Sequence, residues 1–245
     1  IDRIADDWSD ALAAADLVLL GMPVGQMAQV LRALAPHLPA HTVVTDGGST
    51  KGDVVAAARE ALGGRFGQFI PGHPIAGAET SGPAAARADL YRHRRVVLTP
   101  LDENPPAAVA LVRGAWEACG ARVDLLDPAS HDRIFAAVSH LPHLLAYALV
   151  HEFAGRDDAA QLFGFAAGGF RDFTRIAGSH PEMWRDICIA NRHALLGELD
   201  AYMAELLRLR VKLAAADGAG LSEMFDAART ARAVWLAGLP ANGEE

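Results

Sequence analysis

Residues 42–51 read Thr-Val-Val-Thr-Asp-Gly-Gly-Ser-Thr-Lys, and this stretch decides the fold. Thr42 to Asp46 is rich in β-branched residues, which suits a strand. Gly47 and Gly48 end it, and Ser49 or Thr50 can cap a helix running to about Leu62. The same order stands upstream. The apolar run Leu17-Val-Leu-Leu20 ends in Gly21-Met22-Pro23, and helical spacing follows from Val24 to Leu34, with Pro23 suited to the first turn. Downstream, Phe69-Ile70-Pro71 closes a third strand, Arg95 to Thr99 forms a fourth, Asn104 to Cys119 a helix, and Ala121 to Leu126 a fifth strand. Strands alternating with helices predict a mostly parallel α/β sheet.

The pattern changes at Asp127-Pro128. Beyond it no strand is expected, and helical segments are read at about 129–154, 157–170, 180–214 and 219–237. Glu198, Leu199, Tyr202, Met203, Leu206, Leu209 and Leu213 hold an apolar stripe at helical spacing. Two domains are therefore expected, an α/β domain over 1–127 and an all-α domain over 128–245, with a frayed tail from Pro240. A helical half with this much apolar surface predicts a homodimer through its own faces.

Composition removes several classes of function. Among 245 residues, 51% are hydrophobic and 21% charged, enough to build a core. Thirty acidic side chains against 22 basic ones give a net charge of -8, which argues against a nucleic-acid partner. Cys119 and Cys188 have neither metal nor redox spacing and fit a reducing, cytoplasmic setting. No apolar run approaches the ~20 residues of a membrane span, and no basic-then-apolar leader is seen, so no membrane partner is expected. Lys51 and Lys212 are the only lysines, which leaves carboxylate recognition to arginine.

Open α/β sheets gather ligands beyond the carboxyl ends of their strands. Here those positions are Gly21-Met22-Pro23, Asp46-Gly47-Gly48-Ser49, and His73 within Gly72-His-Pro-Ile-Ala-Gly77. A plain Gly-Gly turn with a serine cap accounts equally for the second of these. His73, between Gly72 and Pro74, sits on a stiff turn and has the ordinary imidazole pKa of about 6.5 that a general base needs. His140 and His143 share one helical face, but no further ligands stand at zinc spacing, so no metal is expected. Arg175 offers a fork for a carboxylate, and Asp172 is three residues before it, the spacing of a simple surface pair.

In their order, Asp46-Gly-Gly-Ser-Thr-Lys51, Gly72-His-Pro-Ile-Ala-Gly77 with Glu79 and Ser81-Gly82, Ser139-His-Leu-Pro-His143, and Phe170-Arg-Asp-Phe-Thr-Arg-Ile176 through Pro181-Glu-Met-Trp184 resemble the prephenate/arogenate (cyclohexadienyl) dehydrogenase family. The resemblance runs from about Asp16 to Trp235. It implies a Rossmann-like nucleotide-binding domain followed by a helical dimerisation domain. It implies oxidative decarboxylation of prephenate or arogenate to 4-hydroxyphenylpyruvate or tyrosine, with hydride passing to NAD or NADP. By resemblance, His73 takes the proton of the substrate's 4-hydroxyl, and Ser49 sits between that histidine, the hydroxyl and the nicotinamide. Arg175 binds a substrate carboxylate, and Asp172 orients it. His143, His140, Gly168 and Trp184 line the substrate pocket. Gly21, Met22, Pro23, Asp46, Gly47 and Gly48 fall on the cofactor side.

Gly47 stands where the family has a bulkier apolar residue, and Met22 where it has a smaller one. The family's opening strand, G-x-G-x-x-G turn and helix are not found in these residues, which is the pattern of an N-terminally truncated member. A non-catalytic dimerising or aromatic-acid-binding module is the alternative. A β-hydroxyacid dehydrogenase of similar build is disfavoured because Lys212, the only lysine in the helical half, lies late on the chain.

Overall fold

The computed structural model describes residues 4–77 and 86–238; Glu79, Ser81, Gly82 and the expected tail from Pro240 lie outside the described residues. The short helix α1 (Trp8–Leu12) is capped by the Asp7 carboxylate, which accepts from Asp10 N at 2.8 Å. Strands β1 (Leu17–Leu20), β2 (Val43–Asp46) and β3 (Phe69–Ile70) form one parallel sheet in that order. Its crossovers are α2 (Val24–Leu34) and α3 (Gly52–Leu62).

Strands β4 (Gly72–Pro74), β5 (Arg95–Leu98) and β6 (Arg122–Leu125) form a second sheet, and α4 (Pro106–Ala118) joins β5 to β6. The expected third strand is split. Pro71 has no amide hydrogen for a ladder, so the chain changes partners there. Before it β3 pairs with β2; after it β4 pairs with β5, and Pro71 O accepts from Thr99 N at 2.9 Å. The sheet is not uniformly parallel: β4 and β5 run antiparallel. The described residues of their connection hold no crossover helix, which a parallel pairing would need.

Two apolar clusters carry this layer. Leu20, Val44 and Phe69 from the first sheet meet Met27, Leu31 and Leu34 of α2 and Val54, Ala58 and Leu62 of α3. Ile70, Val96 and Leu98 meet Ala108, Val112 and Trp116 of α4.

From Asp127 onward the described residues are helical or turns. Asp127 caps α5 (Pro128–Phe135) by accepting from Ser130 N at 2.9 Å. A π turn over Ala136–His140 leads into α6 (Leu141–Ala154), and Leu141 N–H donates to Ala136 O, five residues back. The next residue, Pro142, has no N–H to continue an α register, and the wider turn absorbs the mismatch. Then come α7 (Ala159–Gly164), α8 (Gly168–Thr174), a 3-10 turn over Arg175–Gly178, α9 (Pro181–Ala190), α10 (Arg192–Ala214) and α11 (Gly218–Ala237).

Two expected helices are broken. The segment read as 157–170 stops before Ala167, which is extended with φ -115° and ψ -167°. The segment read as 180–214 breaks at Asn191 (φ -100°, ψ 24°), whose side chain is drawn into a buried network described below. Helix α9 inserts Trp184 and Ile187 into the first apolar cluster. By contacts the chain divides after Leu195 into one compact unit, Ile1–Leu195, and a second, Leu196–Glu245. Within the second unit Leu199, Tyr202 and Leu209 of α10 are half-buried, while Phe225, Val234 and Trp235 of α11 are exposed.

One expectation about apolar length is corrected. The continuous helical run Pro128–Ala154, 27 residues with a mean hydropathy of 1.4 over its most apolar window, is long and apolar enough to cross a membrane by length and composition. The same run buries His131 and His140 in the folded unit, where both are hydrogen-bonded.

Gly72 marks the closest backbone approach between the two sheets. A Cβ there would fall 2.9 Å from Asp46 O and 3.2 Å from the Leu98 side chain. Gly72→Ala is expected to lower stability by about 1–3 kcal/mol through this overpacking. The urea midpoint should fall with its slope intact; an unchanged midpoint contradicts the close approach.

Candidate active site

Asp46, the last residue of β2, is wholly buried with Lys51. Its Oδ2 accepts from Gly48 N at 2.8 Å, its Oδ1 accepts from Gly72 N at 3.0 Å, and the Lys51 ammonium pairs with it. Lys51 also donates to Gly72 O. A buried carboxylate and a buried ammonium are tolerated because they pair with each other and with backbone groups. The result is a clasp. It ties the loop that carries Ser49 to the strand that carries His73. Ser49 lies half-buried in that loop. Gly48 belongs to the clasp as well, since a Cβ there would meet Asp46 Oδ2 at 2.8 Å and Val24 Cγ1 at 2.9 Å. The Asp46 carboxylate, counted on the cofactor side from sequence, is thus spent on holding the loop.

The helix after this loop is not capped by Ser49 or Thr50. Its N-cap is Lys51, and the cap comes from α5: Asp132 Oδ1 accepts from Lys51 N and Oδ2 from Gly52 N, each at 2.8 Å. No local pattern could show a cap 80 residues away.

His73 is almost fully buried. Its Nδ1 lies 2.8 Å from His131 Nε2, and His131 Nδ1 lies 2.8 Å from Asp132 Oδ1. Phe135 packs against the His73 ring with centroids 4.9 Å apart. Burial, with Lys51, His131 and His140 nearby, holds the His73 pKa well below the ordinary value of about 6.5, so the ring is neutral at cellular pH. His131 is lowered too, chiefly by burial. Burial alone would raise the Asp132 pKa, but its bonds from His131, Gly52 and Lys51 bring it below the usual carboxylate value. His131 and Asp132 were not singled out from sequence. The available signal was His131, four residues before Phe135 on the buried face of α5, with a carboxylate next to it at Asp132.

Asn191 extends the network. Its Nδ2 donates to Asp132 O at 2.7 Å and lies 3.1 Å from His140 Nδ1. An amide nitrogen only donates, so His140 carries its proton on Nε2. That Nε2 and Trp184 Nε1 are buried donors with no hydrogen-bond partner among the described residues. His143 stacks on Trp184 at 3.5 Å between centroids, with Nδ1 2.9 Å from Ser139 O. Burial lowers both histidines, His140 to about 4. His73, His140, His143 and Trp184, four residues singled out from sequence, are therefore joined by Asn191, His131 and Asp132.

Other expected site residues stand apart from this network. Gly168 opens α8, Asp172 pairs with its exposed neighbour Arg171 at 3.4 Å, and Arg175 begins the 3-10 turn as an exposed, partnered cation. Among the described residues no group of three or more His, Cys, Asp or Glu could hold a metal.

A nicotinamide dinucleotide fits the carboxyl ends of β1 and β2. Gly47 N donates to Leu20 O at 3.0 Å and ties the two ends together. Gly21 is exposed, and a Cβ built there meets nothing within 4 Å. Met22 is half-buried against the first cluster and Pro23 is the N-cap of α2. That N-terminus already faces a carboxylate: a Cβ on Gly25 would overlap Asp186 Oδ2. It therefore offers the flat, uncharged part of a cofactor more room than a phosphate.

Comparison with known proteins accords with this geometry. A model of the prephenate dehydrogenase nucleotide-binding domain matches residues 1–125, and one of the prephenate dehydrogenase dimerization domain matches residues 127–227. The cyclohexadienyl dehydrogenase of Zymomonas mobilis is 39% identical over 233 residues, covering 94% of this chain and 79% of that protein. The prephenate dehydrogenase of Bacillus subtilis is 36% identical over 234 residues, covering 95% of this chain and 63% of that protein. The crystal structure of A. aeolicus prephenate dehydrogenase with hydroxyphenyl propionate and NAD+ superposes with a TM-score of 0.87 at 34% identity, covering 95% of this chain and 81% of that one. A Rossmann-like nucleotide-binding part followed by a helical part, matched along nearly its whole length, places the chain in the prephenate dehydrogenase family, the nicotinamide-dependent oxidoreductases of tyrosine biosynthesis.

Proposed function

We propose that this chain oxidatively decarboxylates prephenate or arogenate, giving 4-hydroxyphenylpyruvate or tyrosine, with His73 as the base. The observation that carries the reading is a buried, neutral histidine held rigidly beside the Ser49 loop. The non-catalytic alternative is disfavoured, because a binding module has no use for a proton acceptor set this firmly.

Gly21, Met22, Pro23 and Gly47 would hold the nicotinamide of NAD or NADP, which would supply the acceptor for the hydride leaving ring C4. As hydride leaves, His73 Nε2 takes the 4-hydroxyl proton and C4 becomes a carbonyl. The C–C bond to the ring carboxylate then breaks, CO2 departs, and its electron pair makes the ring aromatic with the charge on oxygen. That oxygen recovers the proton from His73, so no net proton is consumed. Ser49 orients the hydroxyl. Arg175 binds a carboxylate by a charge-assisted fork, while Asp172, three residues before it, pairs with Arg171. His140 Nε2 and Trp184 Nε1 are buried donors suited to substrate oxygens, and His143 and Gly168 complete the pocket wall.

The functional division falls at Asp127-Pro128, where sheet gives way to helices. The exposed apolar residues of the second unit support a homodimer. The two free cysteines, Cys119 and Cys188, support a cytoplasmic enzyme.

His73→Asn should cut kcat by about 100- to 10,000-fold, the usual contribution of a general base, with KM little changed. A loss in KM alone rules out the base assignment. Arg175→Gln should chiefly raise KM in steady-state kinetics; an unchanged KM with lower thermal stability makes the arginine structural. Because the His73 pKa is depressed, the base stays unprotonated as pH falls past about 6.5, and the acid limb of kcat/KM should lie below that value. An acid limb above pH 6.5 contradicts it. The same depression makes the unfolded chain bind more protons, so stability should be full above about pH 6.5 and fall progressively below it. Melting temperatures across pH 4–8 would show this.

A further inference from the structure

We propose that His131, anchored by Asp132, is a positioning residue that fixes the tautomer of His73 and so turns its Nε2 lone pair toward the substrate. The inference rests on the reading of His73 as the base.

The argument begins at the carboxylate. Asp132 accepts two backbone N–H groups at the start of α3, from Lys51 and Gly52, which is a setting for an ionised carboxylate. An ionised carboxylate can only accept. The third group facing it, His131 Nδ1 at 2.8 Å, must therefore carry a hydrogen. His131 is fully buried and neutral, so it has one ring hydrogen, now spent on Nδ1. Its Nε2 is then a bare lone pair. That lone pair faces His73 Nδ1 at 2.8 Å, a contact that is a hydrogen bond only if His73 Nδ1 carries the hydrogen. His73 is neutral as well, so its own Nε2 is bare. Each step follows from the one before it, and the direction of the whole chain is set by the charge at its far end.

The opposite polarity is unfavourable at every link. It would aim a lone pair of His131 Nδ1 at the carboxylate, and it would place the hydrogen on His73 Nε2, where no proton could be taken up. An isolated imidazole distributes its hydrogen over both nitrogens; this pair cannot. The arrangement also meets the charge that forms. When His73 becomes an imidazolium, Asp132 stands one ring away as its counter-charge, while the Lys51 ammonium nearby opposes it. A purely structural role for His131 would require only that the space be filled and the Asp132 cap maintained.

The test compares His131→Leu, which fills space without an acceptor, with His131→Gln. A glutamine can reproduce the polarity, its amide nitrogen donating to Asp132 and its oxygen accepting from His73. Leu should lower kcat by at least about 100-fold with KM within about twofold, and Gln should recover most of that loss. Nitrogen-15 NMR of histidine-labelled protein reads the tautomer without reference to activity. His73 should show a protonated Nδ1 and bare Nε2 in the parent and in His131→Gln, and a mixture in His131→Leu. A parent protein with His73 protonated on Nε2 overturns the inference, as does His131→Leu with parental kcat. If the Leu variant does not fold, the parent and Gln spectra decide. His73→Asn separates the two claims: unchanged kcat there removes the base reading, whereas a collapse of kcat beside the wrong tautomer removes only the role of His131.

Discussion

The site depends on one buried ion pair. Asp46 and Lys51 lie five residues apart, at either end of the loop that carries Ser49, and neither is exposed. Taking both charges out of water is costly, and hydrogen bonds to each charge offset that cost. Gly48 N, Gly72 N and Lys51 satisfy the carboxylate, and Gly72 O is a second acceptor for the ammonium. The loop is thereby closed on itself and fastened to β4 one residue before His73. Glycine at 48 and at 72 follows from this, since a Cβ at either would collide with Asp46. In the loop that reads from sequence as a glycine-rich ligand site, Gly48 makes room for a carboxylate, and on β4 Gly72 makes room for the Asp46 backbone carbonyl.

A second constraint is the low polarity around the histidines. His73, His131, His140 and His143 are all pushed toward the neutral form, with burial the leading cause in each. Neutral imidazoles have one donor and one acceptor, so a chain of them has a direction. Ionised Asp132 sets that direction at one end, and Asn191, which only donates, sets the His140 ring separately. Two tautomers of opposite kind result: hydrogen on Nδ1 in His131 and on Nε2 in His140. Charge, not local sequence, decides which.

Local signals were legible and distant ones were not. Helix α2 runs from Val24 to Leu34, as its apolar spacing indicates, and β2 ends at Asp46 where the glycines begin. His73 could be picked out because glycine and proline flank it, His140 and His143 because they stand three residues apart, and Trp184 through the family resemblance. The cap on α3 could not, because its donor is Asp132 from another helix. Nor could the break at Asn191, where a helical pattern is overridden by two side-chain bonds into the interior. The switch at Pro71 was half legible: a proline there signals the end of a ladder, but not that the chain goes on to pair with β5 in the opposite sense. Each miss is a case in which tertiary hydrogen bonding outweighs propensity.

The same bonds explain why a change of secondary structure at Asp127 does not produce a change of packing there. Asp132 holds the start of α3, Asn191 holds the backbone of Asp132, and Trp184 enters the core beneath β1 and β2. Sheet and helices through Leu195 thus form one compact unit although their sequences read as two. For the base proposed at His73, this is an economical arrangement. His131, which bonds His73, comes from α5, so a shift of the helical segment would change that hydrogen bond. The proposed positioning of His73 and the capping of α3 are then one event, because the same carboxylate of Asp132 serves both.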